Sequence, residues 1–245
     1  MQHLLSMPPA MVKAFAEVAP ERMRHWFVAH DPEDRPLGSA VGTVWLLHQA
    51  WQQQAPEVAF SQWLQQEPKL IMHSGGQSRR LPAYAPGGKA LLPVPVFRWA
   101  DGQRLDQTLA DRQLPTYSRI LQQAPAGTRV MLTSGDVIVH LEDDLPPLPD
   151  VDVLCLGLWV EPEDAQHFGV FFADREEPEH FRFFRQKPPP AEIRQLAGDH
   201  LFMVDSGIWL LSARAVDVLM AKCGWDAQQQ AFADGLPAAY ELYAD

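Results

Sequence analysis

Cysteine is scarce in this chain of 245 residues, which contains only Cys155 and Cys223. The two positions form no CxxC motif and cannot build a disulfide framework, so a small disulfide-stapled domain is excluded and a reducing compartment is favoured. Long apolar runs are also missing, because no stretch reaches the roughly 18 uncharged apolar residues of a membrane span. The N-terminus, MQHLLSMPPAMVKAF, lacks the apolar core of a signal peptide. We therefore expect a cytoplasmic protein that does not enter a membrane.

Positive charge is in the minority. The chain has 20 Lys and Arg against 31 Asp and Glu, which gives a formal net charge of −11. Such a chain has no summed positive field to hold a nucleic acid or an anionic membrane surface. We therefore predict no nucleic-acid partner, and any phosphate group that binds must be held by local geometry.

Several common catalytic motifs are absent. The Walker A pattern GxxxxGK[ST] cannot be placed, because Gly88 and Lys89 are followed by Ala90 and no hydroxyl is available for a metal ion. Neither GxGxxG nor GxSxG occurs, and the nine histidines show no metal-ligand spacing. These absences disfavour a P-loop kinase, a dinucleotide-binding domain, a serine hydrolase and a zinc site.

The composition, with 47% hydrophobic and 21% charged residues, is typical of a globular protein with a full-sized core. Residues 1–68 contain the candidate helices Met11–Ala19 and Val44–Gln54, and we interpret this part as an N-terminal helical annex. From Lys69 onward, short apolar runs alternate with helical patterns. This alternation predicts an α/β core over residues 69–245, with a mostly parallel sheet covered by helices on both faces.

The individual elements of this core follow from its apolar runs. Two runs around residues 169–174 and 180–186 predict a β-hairpin, and the last strand and helix are predicted over 200–212 and 213–223. The remaining predicted elements are strands at 70–73, 129–134 and 152–160 and a helix over 106–123. Because the chain stops at ELYAD without a closing element, we expect a C-terminal region that is not included.

A glycine-rich turn is the most informative feature. The buried strand Leu70–His73 runs directly into Ser74-Gly75-Gly76, where the missing Cβ atoms let backbone N–H groups approach phosphate oxygens or a base edge. Arg79 and Arg80 follow, and a guanidinium can bind a phosphate through two parallel hydrogen bonds. Lys89 comes after two more glycines and can reach the same phosphates. The alternative is a plain turn with basic surface residues, but the combination favours a triphosphate site.

The motifs as a set resemble one family. SGGQSRRLPAYAPGGK is similar to the glycine-rich signature of sugar-phosphate nucleotidyltransferases, in the form found in the fucose-1-phosphate guanylyltransferase branch of bifunctional fucokinase/fucose-1-phosphate guanylyltransferases. The segments PVFRW, SGDV, GLWV, HFGVF, QKP, GIWLLS and YELY resemble that branch in order and spacing. One departure is GSAVGT, residues 38–43, which stands where the branch has the loop GSGGGT.

The resemblance implies a fold and an activity. The fold is a three-layer, Rossmann-like nucleotidyltransferase fold of the GT-A type. The activity is the transfer of a nucleotidyl group from GTP to L-fucose 1-phosphate, which releases pyrophosphate. Chemistry that joins two such anions normally depends on a divalent ion, and Mg²⁺ takes one or two carboxylates from the protein. A C-terminal region or a kinase domain would lie outside this chain.

Two aspartates are candidate Mg²⁺ ligands. Asp136 follows a predicted apolar strand and Ser134-Gly135, at the carboxyl end of a central strand, where ligands bind in open α/β sheets. The alternative for Asp136 is a turn aspartate that caps the next segment. Asp205 enters an apolar strand, where burial without a cation would be costly. Its alternative is a hydrogen-bonded carboxylate at the strand edge.

The remaining roles are those that the resemblance implies. Lys187 matches the lysine that is thought to bind the sugar phosphate, although Gln186 replaces the usual acidic neighbour, and the alternative is a solvated loop lysine. Gly169 matches a glycine that lets the sugar ring approach the backbone, with a hairpin bulge as the alternative. The complete candidate site comprises Arg80 and Lys89 as catalytic residues, Ser74, Gly75, Gly76, Gln77, Ser78 and Gly135 for the nucleotide, Gly169 and Lys187 for the sugar phosphate, and Asp136 and Asp205 for Mg²⁺.

A second hypothesis is a protein that binds a nucleotide sugar without catalysis, or an incomplete fragment of a bifunctional enzyme. The altered GSAVGT segment and the abrupt end favour it. The presence of Lys89 and Asp136 favours the enzyme.

Overall fold

The computed structural model describes residues 1–18, 20–32, 35, 37–75, 89–94, 107–141 and 144–240. Two compact units are separated by their contacts: Met1–Leu154 with Trp209–Tyr240, and Cys155–Ile208. No helix in the described ranges is long and apolar enough to cross a membrane. The elements, in chain order, are β1 (Gln2–Ser6), α1 (Pro9–Val18), α2 (Pro20–Met23), β2 (Trp26–Ala29), α3 (Gly38–Gln54), α4 (Phe60–Gln66), β3 (Lys69–His73), α5 (Leu109–Gln123), β4 (Thr128–Ser134), β5 (Val153–Leu158), α6 (Pro162–Ala165), β6 (Gly169–Asp174), β7 (Phe181–Gln186), α7 (Pro190–Leu196), β8 (His200–Ser212), α8 (Ala213–Lys222), β9 (Trp225–Asp226) and β10 (Ala231–Phe232).

The strands of the first unit pair mostly in parallel, but within the predicted core of residues 69–245 the β3–β4 pair is parallel while β4–β8, β6–β7 and β6–β8 are antiparallel. The strands of the first unit follow the order β2-β1-β3-β4, and all three of these pairings are parallel. The last residues of β8 then pair antiparallel with β4, with Leu132 opposite Trp209. Because β1, β3 and β4 run in the same direction, the turns that follow them all lie at one edge of the sheet.

Two strands of this sheet come from the segment that we interpreted as a helical annex. β1 and β2 pair with each other, and β1 pairs with β3 over all five of its residues, from Gln2 opposite Lys69 to Ser6 opposite His73. Residues 1–68 therefore supply strands as well as helices to the first unit. β1 and β2 are short, and neither runs into a glycine-rich turn such as the one that marked β3.

Helices cover both faces of this sheet. Neighbouring strand residues point to opposite faces, and Leu4, Ile71 and Val130 on one face belong to a core cluster with side chains of α3, α4 and α8. On the other face, Leu5 borders a cavity that Phe15 of α1 also lines, together with residues of α5. The first unit is thus an α/β body with helical layers on both sides, to which residues 1–68 contribute α1, α3 and α4.

Helix α3 begins earlier than the sequence indicated. The GSAVGT segment, which we treated as a loop, forms the first turns of α3, and Ala40 and Val41 are buried in its packed face. The carboxylate of Asp31 accepts a hydrogen bond from the backbone N–H of Leu37 at 2.9 Å, just before the helix. A negative charge at this end is favourable for the helix dipole. Alanine in place of glycine also favours a helix over a flexible loop.

Helix α5 starts at a capping box. The side chain of Thr108 accepts a hydrogen bond from the backbone N–H of Asp111, and the Asp111 carboxylate accepts one from the backbone N–H of Thr108 at 2.7 Å. Two of the N–H groups that a helix leaves unpaired are thereby satisfied. The helix then packs Ile120 and Tyr117 into the core.

Lys69, the first residue of β3, is fully buried. Its Nζ donates hydrogen bonds to the backbone oxygens of Trp63 at 2.7 Å, Leu64 at 3.3 Å and Glu67 at 2.7 Å. Burial lowers the pKa of Lys69 to about 8, which leaves it mostly protonated at neutral pH. The ammonium group therefore caps the C-terminal end of α4, where carbonyl groups lack helical partners.

Lys69→Met is expected to lower the free energy of unfolding by about 2 kcal/mol, because buried carbonyl groups would lose their donor. Chemical denaturation of the variant and of wild type measures the difference. Lys13→Met, which changes an exposed lysine of α1, is the control and is expected to stay within about 0.5 kcal/mol of wild type. Equal losses in the two variants would contradict the capping role.

The second unit is built around an antiparallel sheet. β6 pairs antiparallel with β7, which confirms the predicted hairpin, and also with the first residues of β8. β5 pairs with β8. On one face of this sheet, Val170, Phe172 and Val204 pack with Ala165 of α6 and Ile193 of α7.

Candidate functional site

The turn after β3 is accessible and firmly held at its base. The backbone N–H of Ser74 donates to the oxygen of Ser6 at 2.9 Å, and its buried hydroxyl accepts from the N–H of Ala90 at 3.1 Å. Gly75 is exposed, and a Cβ atom built on it would meet no described atom within 4 Å. The turn therefore offers open backbone at Gly75 on a base that β1 and the segment around Ala90 hold in place.

The turn after β4 lies against the turn after β3. The N–H of Gly135 donates to the backbone oxygen of His73 at 2.9 Å. A Cβ atom at Gly135 would lie 3.1 Å from both that oxygen and the Cβ of Ser74. These distances are tighter than ordinary contacts, so glycine allows the two turns to come together and brings Asp136 next to Ser74-Gly75.

Asp136 forms an ion pair with Lys89. Nζ of Lys89 lies 2.5 Å from Oδ2 of Asp136, and the Ser134 hydroxyl donates to Oδ1. Burial raises the pKa of the Asp136 carboxyl, but the hydrogen bonds from Lys89 and Ser134 and the charge of Lys89 outweigh it, so the pKa lies below its ordinary value. The Lys89 side chain keeps 33% of its surface accessible and the Asp136 side chain keeps 42%. Asp136 is therefore an ionised carboxylate that a ligand can still reach.

Tyr117 of α5 is a buried group that senses the charge of Asp136. It is 1% exposed on the sheet-facing side of α5. Burial raises the pKa of its phenol, and the negative charge of Asp136 adds to the effect. Nothing in the sequence pattern distinguishes this tyrosine from other core aromatics.

The predicted sugar residue Gly169 lies in the second unit, at the start of β6. A Cβ atom there would lie 2.3 Å from Cζ and 2.7 Å from Cε2 of Phe184, and 3.2 Å from Oε1 of Gln186. The space beside this glycine is therefore filled by the Phe184 ring. Close side-chain packing explains the glycine in this structure, and its role in sugar binding stays a prediction.

Gly169→Ala is expected to destabilise the protein by about 1–3 kcal/mol, because the Phe184 ring must move to admit the methyl group. Thermal or chemical unfolding of the purified variant measures the change. Gly127→Ala, whose added Cβ would lie 3.9 Å from the nearest atom, is the matched control. Adding Phe184→Leu to Gly169→Ala removes the clashing ring atoms and is expected to restore part of the loss. No destabilisation in Gly169→Ala would contradict the packing explanation.

Lys187 directly follows β7 and has a positive φ of 50°. A left-handed conformation costs a non-glycine residue about 1 kcal/mol or more. The backbone N–H of Lys187 donates to the oxygen of Phe168 at 2.9 Å, which holds the residue in this conformation. Strain of this kind concentrates at functional sites. The left-handed conformation of Lys187 is consistent with a functional role for this residue. Binding of the sugar phosphate by Lys187 stays a prediction.

Asp205 lies in the part of β8 that belongs to the second unit. Its Oδ1 accepts a hydrogen bond from the backbone N–H of Gly207 at 2.7 Å, and Gly207 has a φ of 76°. This bond corresponds to the alternative that we considered from the sequence. Burial, with a contribution from the Asp205 charge, raises the pKa of the Cys155 thiol. Because Asp136 and Asp205 lie in different units, their sharing of one cation stays a prediction.

The structure brings one part of the predicted site together. Ser74, Gly75, Lys89, Gly135 and Asp136 meet at the carboxyl ends of β3 and β4. The candidates Gly169, Lys187 and Asp205 lie in the second unit. The candidates Gly76, Gln77, Ser78 and Arg80 lie outside the described residues.

These features define an α/β protein with a polar, accessible site at the carboxyl ends of parallel strands, the usual place for ligands in open α/β sheets. Residues 61–245 match the family model described as the fucose pyrophosphorylase domain, and the chain belongs to this family.

A curated relative covers the whole chain. It is described as L-fucokinase/L-fucose-1-P guanylyltransferase from Bacteroides fragilis, and it is 44% identical over 245 residues. The alignment covers 100% of this chain and 25% of the relative. The chain thus spans about a quarter of the length of the relative that it matches.

Proposed function

We propose that this chain transfers a guanylyl group from GTP to L-fucose 1-phosphate, forming GDP-L-fucose and pyrophosphate. Its family and the name of its relative support the substrates. The observation that carries the assignment to a site is the Lys89–Asp136 ion pair beside the open Ser74-Gly75 turn. A cation, a carboxylate and accessible backbone together meet the needs of a polyphosphate with its counter-ion.

In the proposed reaction, an oxygen of the sugar phosphate attacks the α-phosphorus of GTP in line. A new P–O bond forms, the bond to the β-phosphate breaks, and pyrophosphate leaves. The Ser74-Gly75 backbone faces the nucleotide, Lys89 and Arg80 neutralise charge on the leaving phosphates, and Lys187 anchors the acceptor phosphate. Catalysis then comes from positioning and electrostatics, without a covalent enzyme intermediate.

The residues present fit Mg²⁺ at Asp136. The carboxylate is ionised and partly accessible, and oxygen donors of this kind are the ligands that Mg²⁺ prefers. Asp136, with Asp205 as its proposed partner, would hold the ion, which supplies charge neutralisation when bound. Lys89 pairs with Asp136 in this structure. We propose that Lys89 turns to the phosphates when the metal and the nucleotide bind. Lys89 and the metal ion would otherwise compete for the Asp136 carboxylate.

We further propose that the chain has the GT-A-like nucleotidyltransferase fold and acts as the guanylyltransferase part of a bifunctional protein. The parallel sheet with helices on both faces supports the fold. The relative, which is described by both a kinase and a transferase activity, supports the larger assembly.

Pyrophosphate release with Mg²⁺, GTP and L-fucose 1-phosphate tests the proposal. Formation of GDP-fucose is expected, with lower rates when ATP, UTP or CTP replaces GTP. GTP binding without turnover would favour the alternative, a non-catalytic nucleotide-binding module. A folded chain that shows neither GTP binding nor turnover would contradict the proposed function of this part of the protein.

A further inference from the structure

Three segments meet at the last residue of β3, His73. Its imidazole Nε2 lies 2.8 Å from Oγ1 of Thr43 in α3. Its backbone oxygen accepts from the N–H of Gly135, the residue before Asp136. The hydroxyl of the next residue, Ser74, accepts a hydrogen bond from the backbone N–H of Ala90, the residue after Lys89. The end of β3 is thus joined to α3 by a side chain, and by hydrogen bonds to Gly135 and Ala90, the sequence neighbours of Asp136 and Lys89.

The direction of the Thr43–His73 hydrogen bond follows from proton counting. Oγ1 of Thr43 lies 2.7 Å from the backbone oxygen of Ser39, which can only accept, so the single hydroxyl proton points there. Oγ1 must then accept from His73, which places a proton on Nε2. Burial lowers the pKa of His73 to about 4, so the ring is neutral at physiological pH. Nδ1 therefore carries no proton.

We propose that His73 is a positioning residue, which uses its Nε2–H donor to Thr43 to fix the Ser74-Gly75 turn and, through Gly135 and Ala90, the relative placement of Asp136 and Lys89. This inference rests on the proposed function of the same site. It assigns a role to the GSAVGT segment, since Thr43 is its last residue and Ser39 its second.

The geometry explains why a side chain from α3 matters at this point. Among the described residues, no atom lies within 4 Å of a Cβ placed on Gly75, so the described contacts of the turn are those at its base, made by His73 and Ser74. α3 lies close to the His73 ring, because a Cβ placed on Gly42 would lie 3.8 Å from Cε1 of His73. A misplacement of catalytic groups by about 1 Å can slow a reaction that depends on positioning by about a hundredfold.

Matched variants separate the hydrogen bond from simple packing. Thr43→Ser keeps the hydroxyl and Thr43→Val keeps the shape. His73→Gln places an amide donor near the Nε2 position, and His73→Asn places one near Nδ1. We expect Thr43→Val and His73→Asn each to lower kcat/KM for pyrophosphate release about tenfold, mainly through kcat. Thr43→Ser and His73→Gln are expected to stay near wild type, and the double variant T43V/H73N to be no worse than either single variant.

A second measurement keeps this test independent of turnover. Amide hydrogen exchange at Gly135 and Ala90, whose N–H groups donate to the His73 oxygen and the Ser74 hydroxyl, is expected to accelerate in Thr43→Val and to stay unchanged in Thr43→Ser. NMR of ¹⁵N-histidine is expected to show the Nε2–H tautomer for His73. An Nδ1–H tautomer, or unchanged exchange and kcat in Thr43→Val, would overturn the inference. A wild-type chain without turnover that still shows the tautomer and the exchange pattern would contradict the proposed function while supporting the structural link.

Discussion

Asp136→Asn is expected to lower the rate of pyrophosphate release from GTP and L-fucose 1-phosphate at least about a hundredfold, because an essential electrostatic contact in a polar site is worth 2.7 kcal/mol or more. Asparagine keeps the size of the side chain and can still accept from the Ser134 hydroxyl, but it loses the charge that would hold Mg²⁺. The half-exposed Lys89 pair contributes little to stability. The free energy of unfolding should therefore stay nearly unchanged while kcat falls.

The Mg²⁺ dependence of the rate distinguishes metal binding from mere anchoring of Lys89. If Asp136 binds the ion, Asp136→Asn requires more Mg²⁺ for half-maximal rate than Lys89→Met does. If Asp136 only anchors Lys89, both variants and their double variant share one rate and one Mg²⁺ profile. Asp144→Asn, which alters an 80% exposed aspartate paired with Arg119, is the control and is expected to match wild type. Wild-type turnover in Asp136→Asn would remove Asp136 from the proposed site.

Acid is expected to destabilise the protein through His73, by up to about 3 kcal/mol between pH 6.5 and pH 4. The pKa of His73 is lowered by burial from 6.5 to about 4, and each unit corresponds to about 1.4 kcal/mol. In this window the unfolded chain binds a proton that the folded chain does not, so stability falls as the pH falls. The loss begins near pH 6.5 and is complete near pH 4.

The difference between wild type and His73→Gln isolates this contribution. Burial also lowers the pKa values of His3 and His48, so wild type loses stability through several histidines. His73→Gln keeps a hydrogen-bond donor but cannot titrate. Urea unfolding at several pH values is expected to give a shallower decline for His73→Gln. Identical pH profiles would show that His73 titrates normally in the folded protein.

Much of the fold could be predicted because its strands are apolar and its turns are marked by glycine or proline. β3, β4, β8 and the β6–β7 hairpin were predicted close to their observed bounds. β1 and β2 were missed because strand pairing, a long-range effect, decides the state of such short segments. The start of α3 was missed for a related reason, since the Asp31 carboxylate that bonds to Leu37 comes from an earlier loop.

The site was predictable only in part. The glycines and the lysine marked a phosphate-binding turn, and the position of Asp136 after a strand placed it at the same edge of the sheet. The pairing of Lys89 with Asp136 could not be predicted, because 47 positions separate them and no local pattern relates them. Thr43, His73 and Tyr117 carried no signal, since each resembles an ordinary core or helix residue until its neighbours are known.

The location of the nucleotide tests the account most directly. Amide hydrogen exchange of the wild-type chain, with and without GTP and Mg²⁺, maps where the nucleotide binds. Protection is expected at Ser74, Gly75, Gly135 and Asp136. Protection that spares these residues and appears instead around the cavity lined by His3 and Trp26 would contradict a nucleotide site at the ends of β3 and β4.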